Sequence, residues 1–159
     1  MTVTTTRYFE APDYYVPAAG DPRAVFLAGG ITGCWDWQAV LAEELLAEGL
    51  VVLNPRRADF PIGDPSAAPA QIAWEHHHLH LPAVVTAFWF AAETVQPIAL
   101  LELGAALDNP ARRIALGAHP HYPRRLDVVE QARLARPGLP VAASLDGLAA
   151  EVIRLADLP

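Results

Sequence analysis

"AVVTAFWFAAETVQPIALLELGAAL", residues 83–107, decides the fold class. Its first eight residues are a continuous apolar run rich in valine and aromatics, the pattern of a strand covered on both faces. Past Glu93 and Thr94 the residues from 96 to 107 read as a helix that is apolar on nearly every side, with Glu102 set among its leucines. An unpaired buried charge costs several kcal/mol unless it is neutralised or matched. That carboxylate therefore asks for a reason.

The same alternation extends outward in both directions. Four more short apolar runs, "AVFLAG" (24–29), "LVVLNP" (50–55), "RRIALGA" (112–118) and "LPVAAS" (139–144), read as strands. Helical patterns cover 35–48, 71–81, 125–135 and 145–155. Five alternating units predict an α/β fold, a doubly wound five-stranded parallel sheet with helices on both faces and right-handed crossovers, flavodoxin-like or Rossmann-like. Residues 1–22, with three prolines in "APDYYVPAAGDP", read as an extended N-terminal arm, and 23–159 as one domain.

Ligands of such sheets bind beyond the carboxyl ends of the strands. On that rim fall "GGITGCWDW", "NPRRADFP", "AAET" and "HPHYPRR", together with the entrance of the second helix, "QIAWE".

Composition narrows the chemistry. The chain has 159 residues and a formal net charge of -7, against the concentrated basic surface that nucleic-acid binding needs. Lysine is absent, which excludes a Schiff-base lysine and a P-loop lysine. The single cysteine, Cys34, excludes an internal disulfide. No apolar stretch approaches the roughly 20 residues of a membrane span, and the start lacks a signal-peptide pattern, so a soluble, cytoplasmic protein with a small-molecule partner is expected.

Several rim residues carry chemistry by type and place. Gly29 and Gly30 let backbone approach a ligand closely. Glu102 is either a reactive carboxylate near a helix N-terminus or a structural one bonded to an arginine such as Arg56 or Arg113. Glu75 lies beside Trp74, and Glu93 follows the third strand directly. Trp35, Trp37, Phe60, Trp74 and Trp89 offer rings for stacking, although Trp37 equally suits the core. His76 and His80 share a helix face, but a two-histidine set lacks a third ligand, and no metal is expected. Cys34 has no histidine base near it in sequence, and "HPHYPRR" reads as an anion site or a subunit contact.

Taken together, "VFLAGGI", "NPRR", "QIAWE", "FWFAAET" and "LLELGAAL" resemble the nucleoside 2-deoxyribosyltransferase-like family, in particular its actinobacterial and phage branch, over residues 23–155. The resemblance implies that Glu102, in the "LELG" element, is the nucleophile that attacks C1′ of a sugar and forms a glycosyl ester. It implies Glu75 as the acid near the base, with Glu93 second. Gly29 and Gly30 would admit the sugar and Trp35 or Trp89 would sandwich the base, with Ile31, Asn54, Arg56 and Gln71 as further substrate contacts. No cofactor is implied. The expected partners are a nucleoside or nucleotide and a free nucleobase, and a homo-oligomer is expected because the family completes its pockets across a dimer interface. Relatives that hydrolyse nucleotides carry serine or arginine in the glycine loop, whereas this loop reads "GGITG". Glycosyl transfer to a second base, hydrolysis of a nucleoside or its monophosphate, and non-catalytic nucleotide binding are the competing readings.

Overall fold

The computed structural model describes residues 6–159. The strands are β1 (Tyr8–Phe9), β2 (Ala24–Gly29), β3 (Val51–Leu53), β4 (Val85–Phe90), β5 (Arg113–Ala118) and β6 (Val141–Ala142). They form one six-stranded sheet in the order β1-β3-β2-β4-β5-β6. Every neighbouring pair is parallel. The helices are α1 (Trp37–Ala47), α2 (Ala67–Leu79), α3 (Pro97–Leu107), α4 (Arg125–Ala135) and α5 (Leu145–Ala156).

Alternation along each strand sorts the interior into two cores. Phe26, Ala28, Phe88 and Phe90 point to the side covered by α2, α3 and α4, where Trp74, Leu103 and Val128 meet them. Val25, Leu27, Ala87 and Trp89 point to the side covered by α1 and α5, against Trp37, Leu41 and Leu148. The doubly wound α/β arrangement expected from the apolar runs is the observed one.

The sheet has one strand more than the five expected. Tyr8 and Phe9, within the N-terminal arm, pair with Val52 and Leu53 and cover the outer edge of β3. Two residues are too short for any periodicity, so this strand leaves no pattern in the sequence. The arm then crosses to α2, where the Tyr15 N–H donates to His78 Nε2 at 3.0 Å and the Trp74 indole N–H donates to the Asp13 carbonyl at 2.8 Å.

Helix ends explain the shifted boundaries. Asp36 caps α1 by accepting the Ala39 N–H at 3.0 Å, so that helix starts at Trp37 and not at residue 35. Helix α2 starts at Ala67, one turn before Gln71. Arginines bind the carbonyls left open at helix C-termini. Arg136 donates to Ala106 O at 2.7 Å and Leu107 O at 3.2 Å of α3, Arg112 to Leu79 O of α2, and Arg113 to Leu155 O of α5 at 3.2 Å.

Candidate active site

Neighbouring strands β2 and β4 are the point from which the chain winds outward in opposite directions. Beyond their carboxyl ends lies a cavity of about 400 Å³. Its walls are Phe26 and Ala28, the loop 29–32, Pro55 after β3, Glu75 on α2, the segment 94–99 and Glu102 on α3. The place is the one where doubly wound sheets bind ligands.

Two acids are the only charged residues in that lining. Glu102 comes from the second turn of α3 and is half-buried. Among the described residues no hydrogen bond or ion pair reaches its carboxylate. Arg56 and Arg113, the expected partners of a structural carboxylate, are engaged elsewhere. Arg56 donates to Cys34 O at 3.0 Å, Trp35 O at 3.0 Å and Gln38 Oε1 at 3.2 Å, while Arg113 binds carbonyls beyond α5. Burial, and secondarily the charge of Glu75, push the Glu102 carboxyl up to about 7. Glu75 is also raised by burial, opposed by a hydrogen bond from Gln71. Both carboxyls therefore hold a proton more readily than a free carboxyl does.

The glycine loop is held from three directions. Gln96 Oε1 accepts the Gly30 N–H at 2.8 Å, and its amide nitrogen donates to Ala91 O at 2.8 Å and Thr94 O at 3.1 Å. The Gly30 carbonyl accepts from Trp37 Nε1 at 3.0 Å and Gln38 Nε2 at 3.2 Å. A Cβ on Gly29 would lie 2.2 Å from the Trp89 carbonyl oxygen and 2.6 Å from Trp37 Cζ2, so only glycine fits there. Gln96 itself adopts the left-handed region, with φ 57°, immediately before Pro97. That is a costly conformation for a residue with a side chain, kept by the surrounding bonds.

Of the residues singled out in the sequence, Glu102, Glu75, Gly29, Gly30 and Ile31 meet at the cavity. The others stand apart from it. Glu93 is exposed, and its Oε1 accepts the Trp35 N–H at 3.4 Å. Trp35 is half exposed outside the lining. Asn54 is buried, donating to the Tyr8 hydroxyl at 3.0 Å and accepting the Arg56 N–H at 2.9 Å. Gln71 donates to Pro55 O at 2.8 Å and to Glu75 Oε1 at 2.9 Å. Trp89 packs in the opposite core, because its neighbours Phe88 and Phe90 take the cavity side of β4 and strand alternation sends Trp89 away from it. The Trp89 ring thus lies in the core on the other face of the sheet, outside the cavity lining.

Outside the cavity, His76 and His80 stack with ring centroids 4.2 Å apart, and among the described residues no three His, Cys, Asp or Glu side chains gather as a metal set. Cys34 Sγ lies 3.3 Å from Thr94 Oγ1. In "HPHYPRR", the Tyr122 hydroxyl donates to Val95 O at 2.5 Å and Arg124 pairs with Asp127, so that segment supports the rim from outside. Gln96 is a further residue of the site, not among those that the sequence marks by type or motif. Its one available signal was its place before Pro97, which disfavours ordinary helical backbone at that position.

No helix among the described residues is long and apolar enough to cross a membrane. The chain matches no curated protein. A family model described as "Nucleoside 2-deoxyribosyltransferase like" matches residues 22–122, a span that contains every residue lining the cavity, and the chain therefore belongs to the nucleoside 2-deoxyribosyltransferase-like family.

Proposed function

We propose that the protein cleaves the N-glycosidic bond of a (deoxy)nucleoside and transfers the sugar to a second base through a glycosyl ester on Glu102. The observation that carries this reading is the pair Glu75 and Glu102, two carboxyls that line one cavity with no other charged residue in its walls. One carboxylate oxygen of Glu102 attacks C1′, and the electron pair of the C1′–N bond goes to the base nitrogen, which takes the pair's proton from Glu75. In the second displacement a nitrogen of the incoming base attacks C1′, its proton passes to Glu75, and the ester electrons return to Glu102. Two displacements at C1′ give net retention.

The walls favour a nucleoside over its monophosphate. A phosphate dianion needs cationic or N–H donors. Here the Gly30 N–H is already bonded to Gln96, the Arg56 guanidinium is spent on Cys34, Trp35 and Gln38, and both charged wall residues are acids. The exposed Ile72 on α2 and Ile98 and Leu101 on α3, at 64%, 62% and 71%, support a homo-oligomer that covers this flank, which light scattering of the purified protein tests.

The decisive experiment incubates the protein with deoxynucleosides and their 5′-monophosphates, with and without a free base, and follows base exchange by chromatography beside Glu102→Gln. Exchange confined to the unphosphorylated substrates and lost in the variant is expected. Base release without exchange would make the protein a hydrolase. Absence of turnover with retained ligand binding in both forms would make it a binding module.

A further inference from the structure

Glu75 has two oxygens, and the protein treats them differently. Gln71 and Glu75 sit four residues apart on α2 and share one face of the helix. The Gln71 amide nitrogen donates to Glu75 Oε1 at 2.9 Å and to the Pro55 carbonyl at 2.8 Å. The orientation of that amide is dictated by its surroundings, because Pro55 O can only accept and so must face the NH2 group. Gln71 Oε1, on the other end, is buried and has no partner. A buried acceptor left unpaired is a cost, and it is tolerated here because the reversed amide would set an oxygen against both Pro55 O and Glu75.

We propose that Gln71 is a positioning residue that keeps Glu75 an anion between the two half-reactions, so that Glu75 is the base that receives the proton of the incoming acceptor. The inference rests on the reading that Glu102 carries the sugar. With Oε1 committed to accepting from Gln71, a proton can ride only on Oε2. A donor aimed at one oxygen also stabilises the ionised carboxylate over the acid. Glu102 has no such donor among the described residues, so a resting proton is held more readily by Glu102 than by Glu75, whose carboxyl burial raises and the Gln71 bond lowers in part. The other residues that line the cavity with Glu75 and Glu102, Pro55, Gly30 and Ile31 among them, carry no charge.

The proton count closes over the cycle. In the first half the proton on Glu102 passes to Glu75 Oε2 and on to the leaving base as the Glu102–C1′ bond forms and the C1′–N bond breaks. Glu75 is then an anion beside the ester. In the second half the N–H proton of the incoming base goes to Glu75 Oε2 as its nitrogen attacks C1′ and Glu102 leaves with the ester electrons. The proton then returns to Glu102, and the resting state is restored.

The test compares wild type with Gln71→Met, which keeps the length of the side chain and removes the donor, and with Gln71→Ala. Two readouts are followed: 13C NMR titration of the Glu75 carboxyl in the free protein, and intact mass of protein quenched during turnover of a deoxynucleoside. Loss of a hydrogen bond to a charged group should raise the Glu75 titration by about one pH unit. The glycosyl ester should accumulate in both variants, with release to the acceptor base slowed about 10-fold at pH 6 and less at pH 8. An unchanged Glu75 titration in Gln71→Met, or a variant altered only in KM, overturns the proposal. Failure of wild type to form any ester overturns the Glu102 reading itself, and the NMR titration still reports on Gln71.

Discussion

Gln96 Oε1 accepts the backbone N–H of Gly30 at 2.8 Å, which ties the loop after β2 to the start of the helix that carries Glu102. A Cβ at Gly30 would lie 2.5 Å from Cys34 Sγ and 2.6 Å from Gln96 Cδ, inside the clamp itself. Gly30→Ala is therefore expected to destabilise the fold by about 1–3 kcal/mol, the usual cost of overpacking. Urea unfolding measures it. A variant as stable as wild type would mean that the clamp yields without cost.

Under the proposed glycosyl-ester mechanism, Glu102→Gln should remove at least about 1,000-fold of turnover. Its effect on stability has the opposite sign at high pH. Burial holds the Glu102 carboxyl up from 4.5 to about 7, so the folded state keeps a proton that the unfolded chain has already released. The stabilisation is full below pH 4.5 and is lost as pH rises through about 7. Unfolding midpoints of wild type from pH 5 to pH 8 should fall relative to those of Glu102→Gln, with the two curves diverging upward in pH.

His78 pins the N-terminal arm. Its Nε2 accepts the Tyr15 N–H at 3.0 Å and its Nδ1 faces the Trp74 carbonyl at 2.7 Å, an arrangement that requires the neutral ring. Desolvation lowers its pKa from the usual 6.5, so its stabilisation is present above pH 6.5 and lost as pH falls below it. His78→Ala should cost about 2–4 kcal/mol from the emptied site and the orphaned N–H. Trypsin cleavage at Arg7 should become faster in the variant, and in wild type an arm label should loosen on acidification.

Arg136 gathers carbonyls from the end of α3 and from Arg112, at 2.7 Å to both Ala106 O and Arg112 O. A planar fork makes these bonds together, which an ammonium cannot. Arg136→Ala is expected to lose about 1–3 kcal/mol and Arg136→Lys to recover little of it. Full recovery in the lysine variant, read by thermal unfolding, would show that charge at the helix end suffices.

The sheet was legible because each strand that crosses the core is a continuous apolar run, and such runs with helices between them have few ways to bury both faces. The acids were legible too: Glu102 is conspicuous in a helix of leucines and alanines, and Glu75 in "QIAWE". What the one-dimensional pattern lacks is direction. Trp89 and Phe88 look alike as strand aromatics, yet alternation sends them to opposite cores, so one is on the cavity's side and the other is not. Asn54, Arg56 and Gln71 are polar residues at the right end of the sheet, but which partner each takes depends on contacts across 16 to 46 positions of chain. The α/β winding and the acid near its switch point follow from local pattern alone, as does the pairing of Gln71 with Glu75 one helical turn away. Folding in three dimensions brings Glu75 into the same cavity as Glu102, closes the glycine loop with Gln96 and ties Gln71 to the Pro55 carbonyl, because contacts between residues far apart in the chain are set by geometry that no local period encodes.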